Sequence, residues 1–192
     1  MPSKLTGVDK SFLLSLARRA ISSYFETGKR LEPTQKEIPS PNVLEQGACF
    51  VTLHLHGELR GCIGSLVAHR PLLNDVIENA LASAFEDTRF DPLTKEELKL
   101  VKISISYLTP PKPFPVKDSG DLLAKLIPHK HGLILQKGMA RATFLPAVWE
   151  ELPKKEDFLS HLCMKAGLSP VEWKNTKGMI FQVYEADEFG EE

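Results

Sequence analysis

Residues 47–65 read GACFVTLHLHGELRGCIGS, and the order of apolar and polar side chains in this stretch decides the fold class. From Cys49 to His56 the odd positions Val51, Leu53 and Leu55 are apolar, whereas Thr52, His54 and His56 fill the even ones. A period of two is that of a strand with one buried face. Gly57 supplies a turn, and Leu59 and Ile63 lie on the return strand. A continuous apolar face would place Leu55 opposite Leu59 and Val51 opposite Ile63, across a three-residue loop His56-Gly57-Glu58. That register pairs His54 with Arg60 and Cys62 with Thr52, and gathers Arg60, Cys62 and His54, with His56 nearby, on the face away from the core. A two-residue turn would send Cys62 inward.

Working outward, Asp9 and Ser11 offer caps for a helix whose positions Phe12, Leu13, Leu16, Ala17, Ala20, Ile21 and Tyr24 recur at helical spacing up to Gly28. Prolines 33, 39 and 41 then make residues 32–42 an extended connection. After the hairpin, Pro71 opens a helix with an apolar stripe through Leu72, Leu73, Val76, Ile77, Ala80, Leu81, Ala84 and Phe85. Thr94 caps a short piece ending at Leu98, and Val101, Ile103, Ile105 and Tyr107 alternate as a second strand. The proline run of residues 109–115 ends that strand and is the best internal boundary. Beyond it the pattern predicts a helix near 122–127, a hairpin of 132–136 with 140–145, a helix through Phe158–Cys163 stopped by Gly167, and a strand over 179–185. Strands and helices mix without regular alternation. An α+β class with largely antiparallel sheets and flanking helices follows, rather than a doubly wound parallel sheet.

The chain has 192 residues, enough for one large domain or two closely packed subdomains with a boundary near 109–116. Its 24 basic and 25 acidic side chains leave a formal charge of -1, so no global field indicates nucleic acid or an anionic membrane as partner. Apolar runs are too short to span a bilayer, and the first residues lack a secretory apolar core, which points to the cytoplasm. Three widely spaced cysteines suit a reducing compartment.

Leu59-Arg60-Gly61-Cys62-Ile63-Gly64-Ser65, entered through Gly47–Leu53, resembles the LRGCIG signature of the AMMECR domain family. Asp87-Thr88-Arg89-Phe90 with Pro92 and Glu97-Leu98, then Ser104–Thr109, His131-Gly132-Leu133, Leu145-Pro146, Phe158–Leu168 and Trp173 are similar to further family blocks in the same order. Thr88 and Ala147 depart from the common pattern, where proline and glutamine are frequent. The resemblance covers nearly the whole chain. It implies an α+β fold of two subdomains and, in microbes, membership of the AmmeMemoRadiSam system, with a Memo-like protein and a radical SAM protein as partners. It settles no chemistry and no cofactor.

The candidate site residues are Cys62 as a nucleophile, and Arg60, Gly61, Gly64, His54, Arg89 and His131 for binding substrate or partner. A thiol beside a guanidinium and an imidazole would be favoured as thiolate, and Gly61 and Gly64 would let a ligand approach the backbone. The competing role is structural, with Cys62 packed under the Pro71 helix and the glycines serving close helix-on-strand contact. His54, His56 and Cys62 have spacing compatible with a metal but lack a fourth ligand. Arg89 either binds a carboxylate or phosphate, or pairs with Asp87, Glu86 or Asp91. His131 in its family block is a binding or a solvated residue, and the two tryptophans should pack. Two functions follow: an enzyme or accessory subunit acting on a small anionic or nucleotide-like substrate in a groove expected between the subdomains and lined by Arg60, Cys62 and Arg89, or a non-catalytic module that binds a protein or macromolecule.

Overall fold

The structure, a computed structural model, describes residues 4–192. Helix α1 (Gly7–Thr27) begins at Thr6, whose hydroxyl accepts from the Asp9 N–H while the Asp9 carboxylate accepts from the Thr6 backbone, a reciprocal cap. Asp9 is thus the third helical residue rather than the cap itself. It is fully buried and also accepts from Ser40 Oγ at 2.6 Å and Asn42 Nδ2 at 3.3 Å, which fastens the proline-rich connection to the start of the helix. Burial opposes its charge, but the hydrogen bonds from Ser40, Thr6 and Asn42 outweigh burial and hold the carboxyl below its ordinary range. Gly28 ends the helix with φ 67°.

The chain continues through β1 (Gln46–Leu55), β2 (Glu58–Gly64), β3 (Arg70–Pro71), α2 (Leu72–Phe85), α3 (Lys95–Leu98) and β4 (Lys102–Leu108). It then forms β5 (Lys112–Pro113), α4 (Ser119–Lys125), β6 (Gly132–Lys137), β7 (Ala140–Phe144), α5 (Lys155–Lys165), β8 (Met179–Tyr184) and β9 (Ala186–Gly190). One sheet has the order β2-β1-β4-β9, with β3 paired to β1, and the other β5-β8-β6-β7. Both are antiparallel, so the α+β expectation holds. Two compact units result: one runs to Leu108 and takes back Asp187–Glu192, and the other is Thr109–Ala186.

In the first unit Leu13, Leu16 and Ile21 of α1 join Val51, Leu53, Ile77, Ile103 and Ile105 in one core. The returning strand β9 has no apolar alternation to mark it in the sequence; its Phe189 packs against the core, and charge and backbone contacts fasten the residue that follows it. Arg18 donates to both carboxylate oxygens of Glu191 and to the carbonyls of Leu98 and Val101, and the Glu191 N–H donates to Ile103. In the second unit Trp149 stacks on Phe158 with centroids 3.7 Å apart and planes 3° apart, beside Leu122, Leu133, Leu135, Leu162 and Phe181. Gly167, at φ 75°, stops α5 as the sequence predicts, letting the Leu168 N–H reach the Cys163 carbonyl. No helix among the described residues is long and apolar enough to cross a membrane.

Replacing Asp9 removes half of a reciprocal cap and takes the partner from the half-buried Ser40 and Asn42 donors together. Asp9→Ala is expected to lower stability by about 1–3 kcal/mol, read as an earlier midpoint in urea unfolding.

Candidate functional site

The LRGCIG hairpin is held by a ridge of polar side chains on α2. Asp75, Asn79 and Ser83 stand four residues apart, and Asp87 continues the interval past the helix end; residues so spaced share one helical face. All four are buried. Asp75 accepts from the Cys49 N–H at 2.9 Å and from Ser65 Oγ, Arg70 Nε and Asn79 Nδ2. Asn79 Nδ2 also donates to the Cys49 carbonyl at 3.1 Å. Ser83 Oγ accepts from the Ile63 N–H at 2.8 Å and donates to the Val51 carbonyl at 2.7 Å. Val51 and Ile63 are cross-strand partners, so the hydroxyl bridges two groups of the ladder. Asp87 accepts from the Cys62 N–H at 2.9 Å. The apolar stripe of this helix is the stronger pattern in the sequence and masks the ridge. Its signal was there: a polar residue every fourth position inside a run otherwise fit for a core.

The turn differs from the expected one. His56 and Gly57, with φ 54° and 87°, form a two-residue loop, and Leu55 pairs with Glu58 and His54 with Leu59. Two positive φ values in succession match the twist of the flanking strands. The predicted His54–Arg60 and Leu55–Leu59 pairs therefore do not form, and Leu59 is exposed. Yet Thr52 still faces Cys62 and Val51 still faces Ile63, because the register shifts between Leu53 and His54, leaving Arg60 as the extra residue of a bulge. The short turn does not turn Cys62 inward, since the bulge cancels the one-residue slip.

The bulge aims Arg60 at α3. Its Nε and Nη2 donate to the Glu97 carboxylate at 2.9 and 3.1 Å, and Glu97 also closes the Thr94 cap. Arg89 grips Asp87 with Nε and Nη2 at 2.9 and 2.7 Å, and its Nη2 lies 3.3 Å from the Cys62 carbonyl. Asp87 and Arg89 thus hold the Cys62 peptide on both sides. Both guanidinium groups lie over the Phe90 ring, at 5.9 and 5.4 Å. Thr52 Oγ1 donates to Cys62 Sγ at 3.3 Å. Arg89 holds Asp87 well below the usual carboxylate range, while hydrogen bonds from Arg60, against burial and aided by Thr94, bring Glu97 to about 2. Cys49 and Cys163 are buried, and burial pushes both thiols up; Cys62 is half-buried.

Of the expected site residues, the structure brings together Arg60, Cys62 and Arg89. Gly61 and Gly64 border them, but their open sides are filled by the chain itself. A Cβ on Gly61 would lie 2.2 Å from the Ser83 carbonyl oxygen, and one on Gly64 2.2 Å from the Phe50 ring. Both glycines permit close contact, of helix on strand and of ring on strand. His54 stays on β1 between Leu59 and Lys102, and exposed His56 makes the turn. No three His, Cys, Asp or Glu side chains among the described residues are placed to hold a metal, so His54, His56 and Cys62 do not assemble the ligand set their spacing allowed. His131 belongs to the second unit, where its Nδ1 accepts from the Ile127 N–H and its carbonyl accepts from buried Trp149. Burial lowers its pKa, which suits that acceptor role.

Three outcomes check this site. Gly61→Ala forces a methyl into the Ser83 carbonyl and should destabilise by about 1–3 kcal/mol or more, whereas Ser83→Ala, leaving two backbone groups unbridged, should cost about 1–3 kcal/mol; thermal melting of both variants decides. Glu97 titrates lower folded than its unfolded value of about 4.3. Its contribution is therefore complete above that value and lost as pH falls toward 2. Glu97→Gln should flatten the acid limb of the stability profile in this window.

The AMMECR1 family model matches residues 14–189. Protein MK0488 of Methanopyrus kandleri is 38% identical over 200 residues, covering 100% of this chain and 93% of its own. Protein PF1979 of Pyrococcus furiosus is 37% identical and covers 94% of this chain and 87% of its own. The crystal structure of the uncharacterized protein PH0010 from Pyrococcus horikoshii is similar at TM-score 0.87 and 35% identity, covering 95% of this chain and 91% of that one. The match takes in the hairpin, the α2 ridge and both sheets, and the chain belongs to the AMMECR1 family.

Proposed function

We propose that the chain is a binding module, and that the hairpin surface around Arg60, Cys62, Arg89 and Phe90 receives a protein partner. The observation that carries this reading is that the motif is already satisfied from within. Each arginine is held by a carboxylate, the Cys62 peptide is clamped at both ends, and the two glycines are filled. A surface ordered before contact loses little entropy on binding. Arg89, with 53% of its side chain exposed, and the neighbouring aromatic ring are residue types that anchor interfaces. The Memo-like protein and the radical SAM protein suggested by the family resemblance are the proposed partners. A cytoplasmic site of action suits three cysteines that form no disulfide.

One observation favours the second reading, an enzyme or accessory subunit acting on a small anionic or nucleotide-like substrate. Cys62 Sγ accepts from Thr52 and interacts electrostatically with Arg89, which is the setting of a nucleophilic thiol. The pH dependence of alkylation, with peptide mapping, separates the two. The binding reading expects Cys62 to alkylate with an apparent pKa near the free value of about 8.5, and Phe90→Ala to weaken affinity for the purified Memo-like or radical SAM protein by roughly tenfold. A Cys62 that reacts selectively far below that pH overturns it in favour of the enzyme.

A further inference from the structure

Asn79 of the α2 ridge also lines a second feature. A cleft of about 300 Å³ in the first unit is lined by Tyr24 of α1, by Arg70, and by Glu78, Asn79, Phe85 and Glu86 along α2, with Leu81 and Ala82. That volume corresponds to about ten waters of liquid, enough for a single-ring organic molecule. It is built of three kinds of surface. The Tyr24 and Phe85 rings lie 5.0 Å apart at 40° and form an aromatic wall, although Tyr24 is 40% exposed where an aromatic ring would ordinarily be covered. Arg70 spends its Nε on Asp75, itself fully buried and fixed by four donors, which leaves the Nη edge of an immobilised guanidinium for a ligand. Asn79 is 4% exposed, and all its hydrogen bonds run through Nδ2, to Cys49, Ser65 and Asp75. Those partners fix the amide orientation and leave Oδ1 as an unused acceptor on a residue that lines the cleft.

We propose that this cleft binds a small planar aromatic carboxylate carrying a hydrogen-bond donor. The ring lies against Tyr24 and Phe85, the carboxylate meets the Nη edge of Arg70, and the donor reaches Asn79 Oδ1. Glu78 is already paired with Arg30 at 2.6 Å, so the remaining acidic side chain on the rim is Glu86, which is exposed and disfavours an anion. The site is separate from the Arg60, Cys62 and Arg89 surface and does not depend on the reading given to it.

Titration of the full chain, labelled with ¹⁵N, with 4-hydroxybenzoate tests the proposal through backbone amide shifts. The expected result is a saturable shift confined to Tyr24, Arg70 and residues 78–86. The neutral isostere 4-hydroxybenzamide should bind roughly tenfold more weakly, the loss of one charge-assisted contact. Arg70→Gln should weaken the acid to the level of the amide. Because that variant also disturbs Asp75, two exposed positions provide independent readings: Tyr24→Ala should weaken both ligands alike, and Glu86→Gln should strengthen the acid alone. Absence of saturable shifts, equal affinity for acid and amide, or a Glu86→Gln variant that treats the two alike would each overturn it. None of these variants touches Phe90, so failure here leaves the hairpin reading standing.

Discussion

Four side chains on one line, three on α2 and one just past its end, carry the backbone of the strands beside them, and the first unit depends on that arrangement. A helix normally lies on a sheet through apolar contact, which tolerates sliding. Here Asp75, Asn79, Ser83 and Asp87 each end on a named backbone group of β1 or β2. Every polar atom in such a buried set must find its partner, since an orphaned donor or carboxylate costs far more than a satisfied one contributes. A shift of the helix by one residue would break all four contacts together. The ridge thereby specifies one register of helix on sheet, and Gly61 follows from it. Bringing Ser83 Oγ between Ile63 and Val51 brings the Ser83 carbonyl to where any Cβ would stand.

The same constraint shapes the surface. β2 is the edge of its sheet, and an uncovered edge offers backbone groups to any strand that meets it. Asp87 and Arg89 cover the Cys62 N–H and carbonyl there, while the bulge turns Arg60 away to Glu97. The loop between α2 and α3 is thus tied to the motif by a backbone clamp and an ion pair, both made by residues far apart in sequence. The second unit solves a comparable problem with neutral groups. The His131 carbonyl satisfies the Trp149 indole and its ring satisfies Ile127, so a residue first considered for binding serves mainly to close a turn.

Periodicity alone made much of the fold legible. The alternation of Val51, Leu53 and Leu55, and of Ile103, Ile105 and Tyr107, placed two central strands correctly, because a sheet with one buried face writes itself into every second residue. Thr94, Gly28 and Gly167 marked helix ends by local chemistry. At the hairpin turn the local rule has more than one solution. A three-residue loop and a two-residue loop with a bulge give the same pairing at Thr52 and Cys62, and only the turn itself separates them.

The sequence by itself therefore determined the class of the protein, its antiparallel strands and the family to which its motifs belong, because these rest on local periodicity and on short blocks in order. Only the tertiary structure decided what the motif residues touch. Arg60 could have met His54, and meets Glu97; Arg89 had three carboxylates within reach along the chain, and takes Asp87. Those choices depend on where α2 and α3 lie over the hairpin, and that placement is set by hydrogen bonds between residues 20 to 37 positions apart, a separation over which no local pattern carries information.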